Sequence, residues 1–386
     1  MVRYLFRRTV SGLVTLFLFL SFMFCFTNLI MPGDYVSQFA QGATPEQLAE
    51  MREELGLDLP LWQQYLLWMR GIVSGSLGMS MTEESVWSVL QELLPATLFI
   101  FFTGTVIAFF IGQWLGKLTA WRGPGVVSDT TTMGAIMLYT TFPPWLAFLM
   151  VYIFARQLGW FEEIILSPYD RLTAAVWEQT TLQPSTVMWY VVGTVIAFLC
   201  IIGIVNNQLR HFTRRIPTFV TIIGYLVLLV GSWFMLGFGL QTFDLLRVAG
   251  LLIITYVLLS LGEVMLIMQT GMRDVQHEEY INTARAKGLP THVVRDRHAA
   301  RNAILPVFSR LVVSIPYLLA GLVIIEQSFN WPGMGAGLFG QLIAQDFPTV
   351  LGVLLFVGVL SLGARLILDI IHVSLDPRLR YRYAAK

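Results

Sequence analysis

Long uninterrupted apolar runs constrain this chain more than any other feature. A helix needs about 20 mostly apolar residues to cross the hydrocarbon core of a bilayer. Eight runs approach that length, at residues 9–30, 95–117, 131–155, 187–206, 217–239, 247–269, 307–326 and 349–373. The runs do not alternate apolar and polar residues, as the strands of a membrane barrel do. The sequence therefore predicts an all-α integral membrane protein, a helix bundle of about eight spans.

Composition and charge support the same class. The chain has 386 residues, of which 56% are hydrophobic and 13% are charged, whereas soluble proteins carry about 25% charged residues. The predicted surroundings are therefore a lipid bilayer. A net charge of +1 gives no electrostatic support for a nucleic-acid partner. Cys25 and Cys200 both lie in predicted spans, where packing is favoured over a disulfide or a metal site.

The distribution of Lys and Arg predicts the orientation. The first apolar run is too long for the core of a signal peptide and is interpreted as an uncleaved span. Eight spans place both termini on one side, and that side collects most of the 25 basic residues. The basic residues on that side are Arg3, Arg7, Arg8, Lys117, Arg122, Arg210, Arg214, Arg215, Arg273, Arg285, Lys287, Arg295, Arg297, Arg301, Arg378, Arg380, Arg382 and Lys386. Because cytoplasmic loops are rich in Lys and Arg, both termini are predicted to be cytoplasmic, and a six-span alternative without the fourth and fifth runs keeps these sides.

These sides divide the chain into six segments. The first three are the cytoplasmic tip with the first span (1–30), an external loop with short amphipathic helices (31–94), and spans two and three (95–155). The next is an external loop with an extra span pair (156–246). The last two are a core that contains a cytoplasmic coupling loop at 271–306 (247–373) and a cytoplasmic tail (374–386). In the first external loop, Thr44 and Gln47 have the spacing of a capping box, and Gly56 is a plausible helix stop. The stretch LPLWQQYLLWMRGIV predicts a second helix near the headgroups.

The sequence offers little support for enzymatic chemistry. It has no Walker A loop, no zinc-protease motif and no G-x-S-x-G elbow, and its five histidines are scattered. Three charges inside predicted spans stand out. Arg365 and Asp369 are four residues apart and favour a mutual pair, whereas Glu263 has no partner nearby in sequence and could face a water-filled path or a partner subunit.

A charged stretch at residues 279–307 lies between the sixth and seventh runs. Ala284 and Gly288 are four residues apart and would share one helix face of small side chains, which lets another surface approach closely. Gly288 is expected to end the helix, and Leu289 and Pro290 to turn the chain toward a second short helix from Thr291. The residues alone leave two interpretations equally open: a lever moved by a soluble partner, or an ordinary charged loop.

Short sequence motifs along nearly the whole chain resemble those of one family. The matching pieces are RYLFRR, MPGD (31–34), ATPEQ, ELGLDLPLWQQYLLW, GSLGMS (75–80), LPATL (94–98), FPPW (142–145), TARAKGL (283–289), RHAARNAILP (297–306), EQSFNWPGMG (326–335) and LDPRLRY (375–381). In this order they resemble the permeases of ABC importers, most closely the dipeptide/oligopeptide branch. The resemblance implies type I importer architecture with six spans, so the extra pair within 157–250 is a departure whose role it does not explain.

The resemblance also implies a role for the charged stretch. In that family its helix is the coupling helix, seated on a separate ATPase subunit. The corresponding residues here are Asn282, Thr283, Ala284, Arg285, Ala286, Lys287, Gly288, Leu289, Asn302, Leu305 and Pro306. Asn282 stands at the position of the family glutamate and Thr283 at that of its first alanine. The implied partners are a second homologous permease, two ATP-binding subunits and an extracytoplasmic substrate-binding protein.

The implied activity is ATP-driven peptide import across the cytoplasmic membrane of a bacterium or archaeon. This chain would hold no cofactor and catalyse nothing, since ATP and Mg would be bound by the ATPase subunits. The same branch also carries oligosaccharides and nickel complexes, and either remains an alternative cargo. Two other classes are a stand-alone secondary transporter, which needs ion-coupling residues, and an intramembrane enzyme, for which no catalytic constellation is found.

Overall fold

The computed structural model describes residues 2–30, 36, 42–54, 56–80, 84–161, 168–178, 180–208 and 218–375. These ranges are helical apart from turns and an isolated β-bridge between Met79 and Ser85. The helices are α1 (Val2–Ile30), α2 (Pro45–Glu54), α3 (Leu61–Ser74), α4 (Val86–Arg122), α5 (Val126–Thr140), α6 (Pro143–Met150), α7 (Ala174–Trp177), α8 (Pro184–Gln208), α9 (Thr218–Met235), α10 (Gly239–Gln276), α11 (Glu279–Ala286), α12 (Thr291–Val293), α13 (Ala300–Ser328), α14 (Met334–Ile343) and α15 (Phe347–Leu375). Val151–Gln157 and Val294–Ala299 are π-helical, and Pro168–Arg171 is a 3-10 turn.

Within the described ranges, every apolar run of the sequence lies mostly on helices. Among the described residues, α1, α4, α8 and α10 are long and apolar enough to cross a membrane alone, and α5 with α6 and its π-helical extension could add a fifth span. The remaining runs fall on α9, α13 and α15. The all-α, multi-span class is thus confirmed, while eight spans remains a prediction.

The third run, expected as one span over 131–155, is broken. Val126–Thr140 and Pro143–Gln157 meet at an angle of 106°. Thr141 and Phe142 between them are extended, and Pro143 and Pro144 follow. A proline pushes the preceding residue out of the helical region, so the FPPW sequence ends one helix and starts the next. The third run is therefore a bent pair of helices, and its crossing of the membrane as one span stays a prediction.

The described residues form two compact units. The first comprises residues 1–94, 309–323 and 334–386, and in it α1 and α14 pack against α15. Asp346 caps α15: its carboxylate accepts hydrogen bonds from the backbone N–H of Thr349 (3.2 Å), the Thr349 hydroxyl (2.8 Å) and the Ser80 hydroxyl. All three residues are buried, so the end of GSLGMS is fastened to the start of α15.

The predicted external helices both exist within this unit. The capping box of α2 is confirmed, because the Thr44 N–H donates to Gln47 Oε1 (2.9 Å) and the Gln47 N–H to Thr44 Oγ1 (3.4 Å). The aromatic side of α3 rests on α1, with the rings of Tyr65 and Trp68 each 5.3 Å from Phe24. The helix expected near the headgroups therefore has a protein surface to pack on.

The second unit comprises residues 95–308 and 324–333. Its central element is α10, which contacts α5, α6, α8 and α9. Buried Gln269 of α10 donates a hydrogen bond to Thr132 Oγ1 of α5 (2.8 Å). With 38 residues, α10 is about 57 Å long at 1.5 Å per residue, longer than a bilayer of about 40–45 Å.

The helices α8 and α9 correspond to the extra pair expected within 157–250. Both contact α10, and the Trp233 indole N–H of α9 donates to Thr194 Oγ1 of α8 (2.9 Å). The basic connection, with Arg210, Arg214 and Arg215, lies outside the described residues. Its cytoplasmic position stays a prediction.

Candidate functional site

The charged stretch folds as a short helix, α11, packed on the chain's own core. Ile281 is 0% exposed and Ala284 is 5% exposed, and their spacing of three residues puts them on one helix face. That face joins a buried cluster with Met268 and Met272 of α10 and Val307 of α13. One side of α11 is therefore committed to the permease itself.

The other side of α11 is exposed. The helix exposes Asn282, Thr283, Arg285 and Ala286, and the turn after it exposes Lys287, Gly288 and Leu289. These seven residues are most of those expected to meet an ATPase, and we call them the α11 outer face. A helix fixed on one side and exposed on the other can receive a partner without rearranging its own packing.

Three contacts hold α11 and its surroundings to neighbouring helices. The Arg285 guanidinium carbon lies 5.5 Å from the centre of the Trp121 ring, near the end of α4, a cation–π distance. Gln276 donates to the backbone oxygen of Ala120 (3.1 Å), and Asn302 of α13 donates to the Tyr280 hydroxyl (2.8 Å). Arg285 and Tyr280 thus connect α11 to α4 and α13, and Gln276 connects α10 to α4 beside it.

The end of α11 is a Schellman turn centred on Gly288. The Gly288 N–H donates to Arg285 O (2.9 Å) and the Leu289 N–H to Ala284 O (3.4 Å), the two bonds that define this motif. Gly288 has φ of +72°, and a Cβ added there would meet no atom within 4 Å. The glycine is needed here for its backbone conformation.

This geometry corrects one expectation. Ala284 and Gly288 do not present a single small face to a partner, because Ala284 is buried in the chain's own cluster and Gly288 lies beyond the end of α11. The close approach that Ala284 permits is to the permease's own helices. The role of the predicted residues in ATPase coupling remains a prediction.

The second short helix expected from Thr291 begins at that residue as α12, which is confirmed. A π-helical segment, Val294–Ala299, leads directly into α13 at Ala300. In it Arg295 and Asp296 form a bidentate pair at 2.9 and 2.7 Å, which raises the pKa of the guanidinium. Asn302, Leu305 and Pro306 all lie within α13. Asn302 and Pro306 are exposed there, and Leu305 is half-buried.

We expect Ala284→Leu to destabilise the chain and Ala286→Leu to be tolerated. Three extra carbons at buried position 284 would overfill the cluster, at a cost of about 1–3 kcal/mol, whereas position 286 is exposed. Thermal unfolding of the two variants in detergent measures the difference. Equal melting temperatures would show that Ala284 is not packed as described.

Two motifs that are far apart in the sequence, LPATL and EQSFNWPGMG, are in contact within the second unit. Thr97 of LPATL donates to buried Glu326 of EQSFNWPGMG (2.7 Å). The Trp331 indole N–H donates to Ala96 O (3.1 Å), and the Trp331 ring stacks on Phe99 at 6.5 Å. Sequence reasoning noted the motifs but not their contact, since residues this far apart carry no local periodicity.

A second buried acid was also missed. Asp244 accepts hydrogen bonds from the Thr173 N–H (2.7 Å), the Thr173 hydroxyl (2.8 Å) and the Trp177 indole (3.0 Å), and lies 3.3 Å from Arg247. It ties the loop at 168–178 to α10. Because the sixth run was predicted to start at 247 and α10 starts at Gly239, Asp244 fell outside the predicted span.

Of the three charged residues predicted inside spans, the structure describes the side chains of Glu263 and Arg365. Glu263 is half-buried on α10 and Arg365 is exposed on α15. The Asp369 side chain lies outside the described residues, so its pairing with Arg365 stays a prediction. Within the part of the chain that the structure describes, no group of three or more His, Cys, Asp or Glu residues could hold a metal ion.

Two known families match this chain, one over its N-terminal residues and one over the rest. Residues 109–381 match the family of binding-protein-dependent transport system inner membrane components, and residues 1–101 match the N-terminal family of such membrane components. The first match alone spans well over half of the chain.

Curated relatives are similar along nearly their whole length. The dipeptide transport system permease protein DppB of Escherichia coli K12 is 28% identical, covering 99% of this chain and 100% of its own. The di/tripeptide transport system permease protein DppB of Pseudomonas aeruginosa is 26% identical over 92% and 91%. The glutathione transport system permease protein GsiC of Escherichia coli O6:H1 is 26% identical over 99% and 100%. Together with the multi-span helical fold, the family matches establish that this chain belongs to the inner membrane components of binding-protein-dependent transport systems.

Proposed function

We propose that this chain is a permease subunit of an ATP-driven peptide importer. It would form half of the translocation pathway and pair with a second, homologous permease. The family supplies binding-protein-dependent transport, and the relatives named for dipeptides, di/tripeptides and glutathione support a peptide cargo. Oligosaccharides and nickel complexes remain the alternative cargoes.

The observation that carries the coupling role is the two-sided position of α11. Ile281 and Ala284 fix one side in the core, and the α11 outer face is exposed. We assign that face, with Asn302, Leu305 and Pro306 behind it, to docking on an ATPase subunit. A push there would act on the adjoining ends of α4, α10 and α13, because Arg285 and Tyr280 contact α4 and α13, and Ile281 and Ala284 share a buried cluster with α10.

The chain itself would do no covalent chemistry. Two partner ATPases would bind ATP and Mg, and an extracytoplasmic protein would bind and deliver the peptide. Work would come from the different affinities of ATP and substrate for two conformations of the assembly. The basic residues on the α11 side support a cytoplasmic position for that side and for both termini, in a bacterium or archaeon.

Reconstitution into proteoliposomes tests this proposal. The tagged chain is purified in mild detergent with whatever accompanies it, and uptake of a labelled dipeptide is measured with and without ATP inside. We expect a sister permease and ATPases to co-purify, and uptake to need both ATP and the external binding protein.

One contrary result would favour a different class. Uptake by the isolated chain, driven by an ion gradient without any ATPase, would identify a stand-alone secondary transporter. Co-purification of ATPases with no peptide uptake, but with uptake of an oligosaccharide or a nickel complex, would keep the class and change the cargo.

A further inference from the structure

The break between α5 and α6 lies deep in an apolar part of the chain. No charged residue occurs between Asp129 and Arg156, and the break at Thr141 and Phe142 falls near the middle of that stretch. The two helices together are long and apolar enough for one bent span or for a loop that enters and leaves the membrane on the same side. In either case the break lies inside the hydrocarbon core, which is about 30 Å thick.

The end of α5 packs against the middle of a second apolar stretch. A Cβ added to Gly262 of α10 would clash with Ala135 O and would lie 3.0 Å from Tyr139 N, so the two backbones are in close contact. Gly262 is about midway between Arg247 and Arg273, which flank the apolar run of α10. The neighbouring helix therefore also places the break near the middle of the bilayer.

The break leaves two carbonyl oxygens that the helix pair cannot bond with the usual N–H groups. In a continuous helix, Tyr139 O and Thr140 O would accept from the N–H groups of residues 143 and 144. Both of these residues are prolines, which have no N–H to donate. Lipid tails have no donors either, so irregular backbone occurs at this depth only where protein covers it or water reaches it. The two carbonyls therefore need a donor from water or from another protein surface.

The surface that continues from the break is exposed and aromatic. Phe142, Trp145, Phe148 and Tyr152 are 66%, 55%, 56% and 43% exposed, and their spacing of three and four residues puts them on one side of the helix. The ring centres of Trp145 and Phe148 lie 5.6 Å apart and those of Phe148 and Tyr152 6.0 Å apart, with each pair stacked. The opposite side of α6, including Ala147, is buried. We call these four exposed residues the aromatic row.

We propose that the break and the aromatic row line an aqueous path through which the cargo crosses the membrane. Water can bond both carbonyls at the break without any matching donor on a partner, and the rings would contact the apolar side chains of a passing peptide. In secondary transporters, broken helices hold the substrate near the middle of the membrane. The identity of the cargo as a peptide rests on the proposed function, whereas water at the break rests on the geometry of the helices.

Thiol labelling tests for water at the break. Thr140→Cys and Phe142→Cys are each made in a chain that carries Cys25→Ser and Cys200→Ser, and each chain is purified with its partners in nanodiscs and supplied with ATP. A charged, membrane-impermeant methanethiosulfonate reacts with the thiolate, which forms in water and not in hydrocarbon. We expect both variants to react at least roughly tenfold faster than a variant with its thiol in lipid.

Ile196→Cys in the same chain is the matched control. Ile196 is 40% exposed near the middle of α8, an unbroken apolar helix, so lipid is expected beside it. Reaction of either test variant at the slow rate of this control would overturn the proposal. A membrane-permeant maleimide would then identify what surrounds the break, because it reaches a thiol in lipid but not one that a subunit covers.

A comparison of two cargoes tests the aromatic row. Phe148→Ala should lower the uptake of diphenylalanine relative to that of diglycine by about two- to tenfold, because an aromatic contact is lost for the first peptide only. Trp189→Ala removes a 40% exposed ring from α8 and should leave the ratio unchanged. An unchanged ratio in Phe148→Ala would remove the rings from the path. Labelling needs no peptide, so a failure of peptide transport leaves the result at the break standing, and a dry break leaves the transport assignment standing.

Discussion

Replacing Gly288 with valine is expected to uncouple ATP hydrolysis from peptide uptake. The residue has φ of +72° and a Cβ added there would meet no atom within 4 Å, so the expected cost of valine is backbone strain of about 1–2 kcal/mol. That strain lowers the ratio of capped to frayed turn by roughly 5- to 30-fold. Peptide uptake per ATP hydrolysed, measured in proteoliposomes, should fall by a similar factor while membrane insertion is unchanged.

Two control variants test whether the loss of coupling depends on the position of Gly288 or on backbone strain in general. Gly288→Asn should retain most of the coupling, because asparagine tolerates left-handed backbone. Gly75→Val imposes the same kind of strain after α3, where φ is +80° in equally open space, and should leave uptake per ATP unchanged. Full coupling in Gly288→Val would remove the Schellman turn from the mechanism.

Trp331→Ala is expected to produce the largest loss of stability. The side chain is 1% exposed, stacks on Phe99 and donates to Ala96 O. Truncating a buried tryptophan costs about 3–5 kcal/mol. Thermal unfolding in nanodiscs, followed by the helical circular-dichroism signal, should show a clear drop in the melting temperature.

Trp160 provides the matched control. It lies in the same unit as Trp331 but is 68% exposed, so Trp160→Ala should unfold near the parent temperature. Trp331→Phe keeps the ring and loses the indole donor, and should fall between the two. If the alanine variants at 331 and 160 behave alike, Trp331 does not anchor the second unit.

The helices were largely predictable because lipid imposes a length and a composition on each span. Runs such as 187–206 and 247–269 needed no knowledge of their neighbours; α8 extends a few residues beyond the first run, and α10 extends about two turns beyond each end of the second. The break at Pro143 was not predicted, although FPPW carries its signal. Apolar composition continues across the prolines, and hydropathy alone cannot distinguish a straight span from a bent one.

The candidate site was predictable in its local parts only. The glycine that ends α11 and the turn at Pro290 follow from residue type. The burial of Ala284 does not, because a small residue suits both a partner's surface and the chain's own core. The contacts of Arg285 with Trp121 and of Glu326 with Thr97 join residues distant in sequence, and no periodicity encodes them.

The length of α10 has a geometric consequence. Its last turn leads into α11 and its third turn carries Arg247, so one continuous rod of about 57 Å connects the two ends. Pivoting such a rod by about 5° at one end sweeps the other through roughly 5 Å, close to the pitch of a helix. Under the proposed coupling, a tilt of a few degrees at α11 would therefore displace the far end of α10 by about one turn without any bend in the rod.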